Sequence, residues 1–518
     1  MGIYFISSGQ NPIIDENALP GTPQAVWDAG DNAPIEGFAQ EFSVNKGQTV
    51  HFKIDVESQV TLQSYTVKIY RLGWYQGNGA RFITDLGNSL SGNLQPAYNY
   101  QTATGKVDCN NWAISCQWTV PATAVSGVYI ARLDCPALGS IAKSVILFVV
   151  RDDAANAPVL FKTSDATWQA YNLYGNNSFY GAATPVPGFT HATKVSYQRP
   201  LHLRGDKTNF FNAEYPMIRW MERNGYNVSY TTDMDMARDA SVITPANHKV
   251  LLSVGHDEYW SLEQRNKFET ARANGVNIAF FSGNEVYWKT RWEDNYQTLV
   301  CYKEGTQGEN VCGNKCDPLP NVWTGLWRDG CSPAYAANDG CKPEGSLSGQ
   351  MSWTQTTGSI KVPDQYKNLR FWKNTSIASL GAGQTVVLPY GTLGNEWDPE
   401  QFAETYPAHR VVLSNTVQAG LTHKMSLYRY SSGALVFGAG TMQWPWGLDD
   451  SHDLNTATPP VQPVSTDMQQ ATVNLLHDMG ADAGSLQVGL VAPAIGSDAI
   501  APGSIITSPI HNATVTGA

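Results

Sequence analysis

Apolar and polar positions alternate with a period of two through Val50–Val56, Ser64–Leu72 and Gly127–Leu133, with Gly- and Asn-containing turns between them. That spacing predicts short strands with distinct faces, hence an all-β N-terminal domain over residues 1–153. The texture changes after the polar break DDAANAP at 152–158. Pro216–Asn224 then reads as a helix, Val228–Thr232 as a strand and Val250–Val254 as an uncharged run of the kind buried on both faces. A helix is predicted over Ser261–Asn274, with Ser261 as N-cap, Gln264 at the capping-box position and Gly275 closing it. Val276–Phe281 supplies the next strand, and α/β alternation predicts a largely parallel sheet within residues 154–488. Short strands return at Gln384–Pro389 and Ala434–Gly438, and Thr466–Met479 reads as an amphipathic helix. Residues 489–518 read as a linker or the start of a further module.

Two polar clusters directly follow buried strands: His256, Asp257 and Glu258, then Ser282, Gly283, Asn284 and Glu285. Ligands of open parallel sheets bind outside the carboxyl ends of the strands, so the two loops together predict a site. Asp257 or Glu258 could equally cap the helix that starts at Ser261, a role that needs only one carboxylate.

With 34 basic against 45 acidic residues, the net charge of -11 argues against nucleic acid as a partner. No run of eighteen apolar residues predicts a membrane span. Eight cysteines, five of them between 301 and 341, suggest disulfides and an exported chain whose signal segment precedes this sequence. Zinc at Cys312 and Cys316 is the weaker reading, because no second metal-binding pair follows at a matching distance. The sixteen Trp and twenty-four Tyr fit large β cores, and also a carbohydrate-stacking surface. Oligomeric state is not set by the sequence, and self-association stays open.

The motifs IYRLGWYQGNGAR at 69–81, SGVYIARL at 126–133, TWQAYN at 167–172, GHDEYW at 255–260 and FSGNEVYW at 281–288 resemble the N,N-dimethylformamidase large (beta) subunit family. The likeness runs from NPIIDENALPG near the start to GAGTMQWPWGLD at 438–449. It implies a β-sandwich followed by an α/β domain similar to class I glutamine amidotransferases. It also implies a mononuclear ferric iron held by two tyrosines and a glutamate. Carried onto this chain, the ligands fall on Tyr129, Tyr171 and Glu258, with Tyr174 the rival of Tyr171. His256 and Asn284 fall beside the metal, as proton shuttle and as hydrogen-bond donor to substrate. Hard anionic oxygen donors suit such an ion, which could act as a Lewis acid and activate water for cleavage of a C–N amide bond in a small substrate. No protein nucleophile is needed, because Asn284 stands where the amidotransferase-like elbow would carry cysteine. From the residues alone, Tyr129 in an alternating strand reads as a packing residue. Two alternatives stay open. A glycoside hydrolase would need Asp233 or Glu285 as second acid; a secreted carbohydrate-binding protein would need no catalysis. The cysteine-rich insertion at 301–345 is expected to roof the crevice.

Overall fold

The computed structural model describes residues 11–494 except 32, 57–63, 88–89, 92–93, 203, 306–316, 332–340, 352 and 456–459. A three-stranded antiparallel sheet (Ile35–Ala39, Thr49–Val56, Cys116–Thr119) faces a larger one. The larger sheet runs Ser43–Asn45, Lys143–Arg151, Gly127–Asp134, Ser64–Leu72, Ala80–Asp85. Val50, Phe52 and Ile54 from one sheet share a core with Val67, Ile69, Ala131, Leu133, Ile146 and Phe148 from the other. The opposite face of the larger sheet carries Tyr70, Val128, Ile130, Leu147 and Val149, and it packs with Val159, Phe161, Met217 and Tyr230. Both faces are therefore buried, which explains the unbroken apolar run Val145–Val150 in an antiparallel strand.

Beyond Arg151 and Pro158 the chain builds a seven-stranded sheet in the order Val228–Thr231, Val159–Lys162, Val250–His256, Asn277–Gly283, Leu435–Gly438, Ser426–Arg429, Val411–Val412. The first five strands are parallel, and Ser426–Arg429 runs antiparallel to both its neighbours, Leu435–Gly438 and Val411–Val412. Strand order reverses between Val159–Lys162 and Val250–His256, so the crevice at their carboxyl ends is where a doubly wound sheet opens for a ligand. The helix Leu262–Ala273 starts on Ser261, whose side chain accepts from the Gln264 amide. Among the described residues no helix is long and apolar enough to cross a membrane.

The disulfide expectation holds in part. Cys331 and Cys341 are bonded, but Cys109, Cys116, Cys135 and Cys301 are free thiols. Their surroundings differ: Cys109 donates to the Tyr174 hydroxyl and Cys135 to the Ser64 carbonyl, while Cys301 is enclosed in the α/β core. Cys312, Cys316 and much of the expected roof lie outside the described residues. The segment leading out of the last helix remains docked as far as Val491, which exchanges hydrogen bonds with Gln470.

Arg71 and Glu222, both fully buried, tie the sandwich to the α/β part through paired hydrogen bonds of 2.7 and 2.9 Å. Glu222→Ala strands the guanidinium in a dry interface, and a loss of about 3–5 kcal/mol is expected in urea unfolding. Wild-type stability in that variant would show the pair to be dispensable.

Candidate active site

Gly255 lies at φ +76°, and a Cβ there would meet Ala213 Cβ at 2.6 Å. Glycine therefore lets the strand carry His256 to the crevice in close contact with a neighbouring helix. The next three side chains diverge. Asp257 turns down to Lys162 at 2.7 Å and to Ser253 at 2.6 Å, with Lys162 also ion-paired to Asp233 in a fully buried trio. His256 and Glu258 face the crevice. Glu258 is held by its own backbone: its N–H donates to Thr167 Oγ1 at 2.9 Å, and its carbonyl accepts from Trp288 N at 2.9 Å. The second loop is tighter. Asn284 and the β-branched Val286 sit at φ +50° and +58°, and Asn284 N donates to Asp398. A Cβ at Gly283 would meet Met442 N at 2.7 Å and Glu396 O at 2.9 Å. Strain of this kind concentrates at functional sites.

On this frame, Tyr180 Oη donates to the Glu258 carboxylate at 2.7 and 2.8 Å, and Tyr171 Oη to the same carboxylate at 3.0 Å. The two phenol rings stack 4.1 Å apart. Tyr180 is 42% exposed, so the site opens to solvent across its ring while its oxygen points inward. Tyr259 Oη donates to Tyr180 Oη at 2.8 Å, and the Lys303 ammonium lies 3.6 Å from the Tyr180 ring centre. His256 Nε2 stands 3.0 Å from Glu396 Oε2 and 3.5 Å from Glu258, a close ion pair without hydrogen-bond alignment. Asn284 Nδ2 donates to the same Glu396 oxygen at 2.9 Å.

Burial works against the imidazolium, but the Glu396 charge outweighs it and raises His256 to about 9. Glu396 is held below the ordinary carboxylate range despite burial, mainly by His256. Glu258 rises to about 7 through burial, with His256 opposing and Glu396 adding to the rise. Burial, then the Glu258 charge, pushes both Tyr171 and Tyr180 well above the usual phenol range. A cationic centre at the three oxygens would reverse that order, since a bound metal favours deprotonated ligands.

The arrangement fits a hard cation. The Tyr171 and Tyr180 oxygens both lie within 3.0 Å of one Glu258 oxygen, a set of hard oxygen donors of the kind that suits one small ion. Among the described residues no group of three His, Cys, Asp or Glu side chains is arranged to hold a metal, so the candidate set depends on its phenols.

The structure brings together four of the five expected site residues: Tyr171, His256, Glu258 and Asn284. Tyr129 is not among them. It is buried in the sandwich against Trp118 and Phe148, with its hydroxyl on the Val125 carbonyl. The strand alternation that turns Val128 and Ile130 toward the α/β core turns Tyr129 away from it. Tyr180 instead lies against Glu258, stacked on Tyr171. Tyr174 is occupied by Cys109 and His202. Glu396 and Tyr259 were also missed. Tyr259 lies inside the quoted motif GHDEYW, and Gly394-Asn395-Glu396 repeats the Gly283-Asn284-Glu285 tripeptide, a signal available in the sequence. Nothing comparable marks Tyr180.

A family model described as N,N-dimethylformamidase beta subunit-like, C-terminal, matches residues 66–457. A curated relative, the N,N-dimethylformamidase beta subunit of an Alcaligenes species, is 26% identical over 126 residues. That match covers 22% of this chain and 16% of the relative, so the chain aligns with a small part of it. Because the family model spans most of the sequence and contains every residue of the site, the chain belongs to the N,N-dimethylformamidase beta subunit-like C-terminal family.

Proposed function

We propose that the protein hydrolyses the carbon–nitrogen bond of an amide at an iron centre held by Tyr171, Tyr180 and Glu258. The observation that carries the reading is the convergence of those three oxygens beside the His256–Glu396 pair. The family, and the amidase named among its relatives, support the reaction class. Bound there, ferric iron supplies a Lewis acid toward an amide carbonyl and makes water nucleophilic near neutral pH.

His256, kept cationic by Glu396, would deliver its proton to the departing amine as the C–N bond breaks, and would recover one from the next water that enters the site. Glu396 stabilises the charge of that imidazolium. One Asn284 N–H is committed to Glu396, so Asn284 first of all positions that carboxylate rather than an oxyanion. Among the described residues no donor reaches its buried Oδ1, which could accept an N–H from the amide nitrogen as it is protonated. A glycosidase pair is less well supported, because Asp233 is committed to Lys162 and Gln264, and Glu285 lies against Asp398.

Elemental analysis of protein purified without chelator, joined to turnover of small N-alkyl formamides and acetamides, tests the reading. About one iron per chain is expected. Glu258→Ala should lose iron with the fold intact, whereas Asn284→Ala should keep iron and lose turnover by about 100-fold, the lower end of what proton transfer by a positioned group contributes. Folded, colourless wild type without iron would defeat the proposal.

A further inference from the structure

We infer that Tyr259 is a positioning residue that holds Tyr180 in its anionic, ligating form, so that the two phenol ligands are unequal, Tyr180 anchoring and Tyr171 the more readily displaced. The inference rests on the reading that Tyr171, Tyr180 and Glu258 hold iron.

Two observations distinguish the phenols. Tyr259 Oη donates to Tyr180 Oη at 2.8 Å, while Tyr180 in turn donates to Glu258. When Tyr180 gives up its proton to become a ligand, its bond to Glu258 as donor ends but the bond from Tyr259 remains, now directed at an anionic oxygen. Hydrogen bonds to a charged oxygen are about twice as strong as those between neutral groups. The Lys303 ammonium stands over the same ring and favours the same anion. Tyr171 has neither aid: its hydroxyl donates to Glu258, and no donor among the described residues is directed at its oxygen.

Tyr259 is built to hold that direction. It is fully buried and packs on Phe179 with ring centres 5.5 Å apart. It begins the short strand Tyr259–Ser261, which pairs in parallel with Trp288–Glu293. Its backbone shares Thr167 Oγ1 with that of Glu258, so the ligand and the residue behind the second ligand are fixed by one hydroxyl on the helix Asp165–Tyr171. Side chains behind metal ligands typically change metal affinity by about 10–100-fold when removed.

The test compares visible absorption and iron retention against graded chelator in full-length wild type, Tyr259→Phe, Tyr171→Phe, Tyr180→Phe and the Tyr180→Phe/Tyr259→Phe double variant. Tyr259→Phe is expected to release iron about tenfold more readily. Its phenolate-to-iron absorption should move to longer wavelength, because the phenolate loses the bond that lowered its energy. Tyr171→Phe should retain more iron than Tyr180→Phe, and the double variant should match Tyr180→Phe alone. A Tyr259 of purely structural importance would lower stability and leave the absorption in place, which overturns the inference; so does equal iron loss from Tyr171→Phe and Tyr180→Phe. Should Tyr259→Phe fail to fold, that last comparison still decides, because it leaves Tyr259 untouched. Wild type without iron removes the underlying reading instead, and is recognised before any variant is measured.

Discussion

Tyr180→Phe is expected to lower iron affinity by at least about 100-fold and to abolish amide hydrolysis, while Tyr129→Phe leaves both unchanged. The first substitution removes one oxygen. The ring that stacks on Tyr171 at 4.1 Å and the face beneath Lys303 are retained, so a loss reports on the donor and not on packing. Tyr180 also bridges both oxygens of Glu258, and without it the carboxylate loses its closest partner in the crevice. The second substitution removes a single hydrogen bond to the Val125 carbonyl inside the sandwich, worth about 1 kcal/mol. Iron analysis and turnover on the two variants side by side check both halves. Iron kept by Tyr180→Phe, or lost by Tyr129→Phe, would return the ligand set to the one expected from sequence resemblance.

Lys162→Met is expected to destabilise the protein by about 3–5 kcal/mol, a large share of the roughly 5–15 kcal/mol that holds such a fold together. Lys162, Asp233 and Asp257 are fully buried, and the ammonium is bonded to both carboxylates. Asp165 lies behind them, accepting from the Asp233 backbone and from Tyr197. Burial already raises Asp233 well above its ordinary range, with Lys162 the main opposing influence. Without the lysine, folding must either strand charge or retain protons on these acids. A buried acid that keeps its proton in the folded chain to higher pH than in the unfolded chain binds more protons when folded, so its contribution falls as pH rises. The deficit should therefore be larger at pH 7 than at pH 5, read from urea midpoints at both. A variant as stable as wild type at pH 7 would show that the network does not anchor the loop. The functional consequence is local: Asp257 is the pin that turns its neighbours His256 and Glu258 toward the crevice, so iron retention should fall with stability.

The place of the site was legible from a few residues. An uncharged run ending at Gly255, followed by three polar residues, and a second run ending in Ser282–Glu285 could only be buried strands delivering polar loops to one sheet edge. The helix cap at Ser261 was equally clear, because a cap is a contact between residues three apart. Tyr129 shows where such reading stops. Its strand alternates in the ordinary way, but both faces of that strand are buried, one inside the sandwich and one against the α/β core. Local pattern cannot say which core a given side chain enters. Tyr180 was beyond reach for a related reason, since it approaches Glu258 across 78 residues of sequence; the repeated Gly-Asn-Glu tripeptide marks Glu396, but its pairing with His256 spans 140 residues, from the difference 396 − 256, and no local pattern shows it.

The sequence by itself pointed to the strands and helices near the site and to where the crevice lies, through hydrophobic period and turn chemistry, while the singling out of His256, Glu258 and Asn284 among the polar residues there came from the resemblance of short motifs to a known family. Only the tertiary structure decided that Tyr180 joins Tyr171 at Glu258, that Glu396 holds His256, and that Asp257 serves Lys162 instead of the crevice. Those choices depend on which faces of separate elements are pressed together, and burial of apolar surface across the whole chain settles that, not any local run of residues.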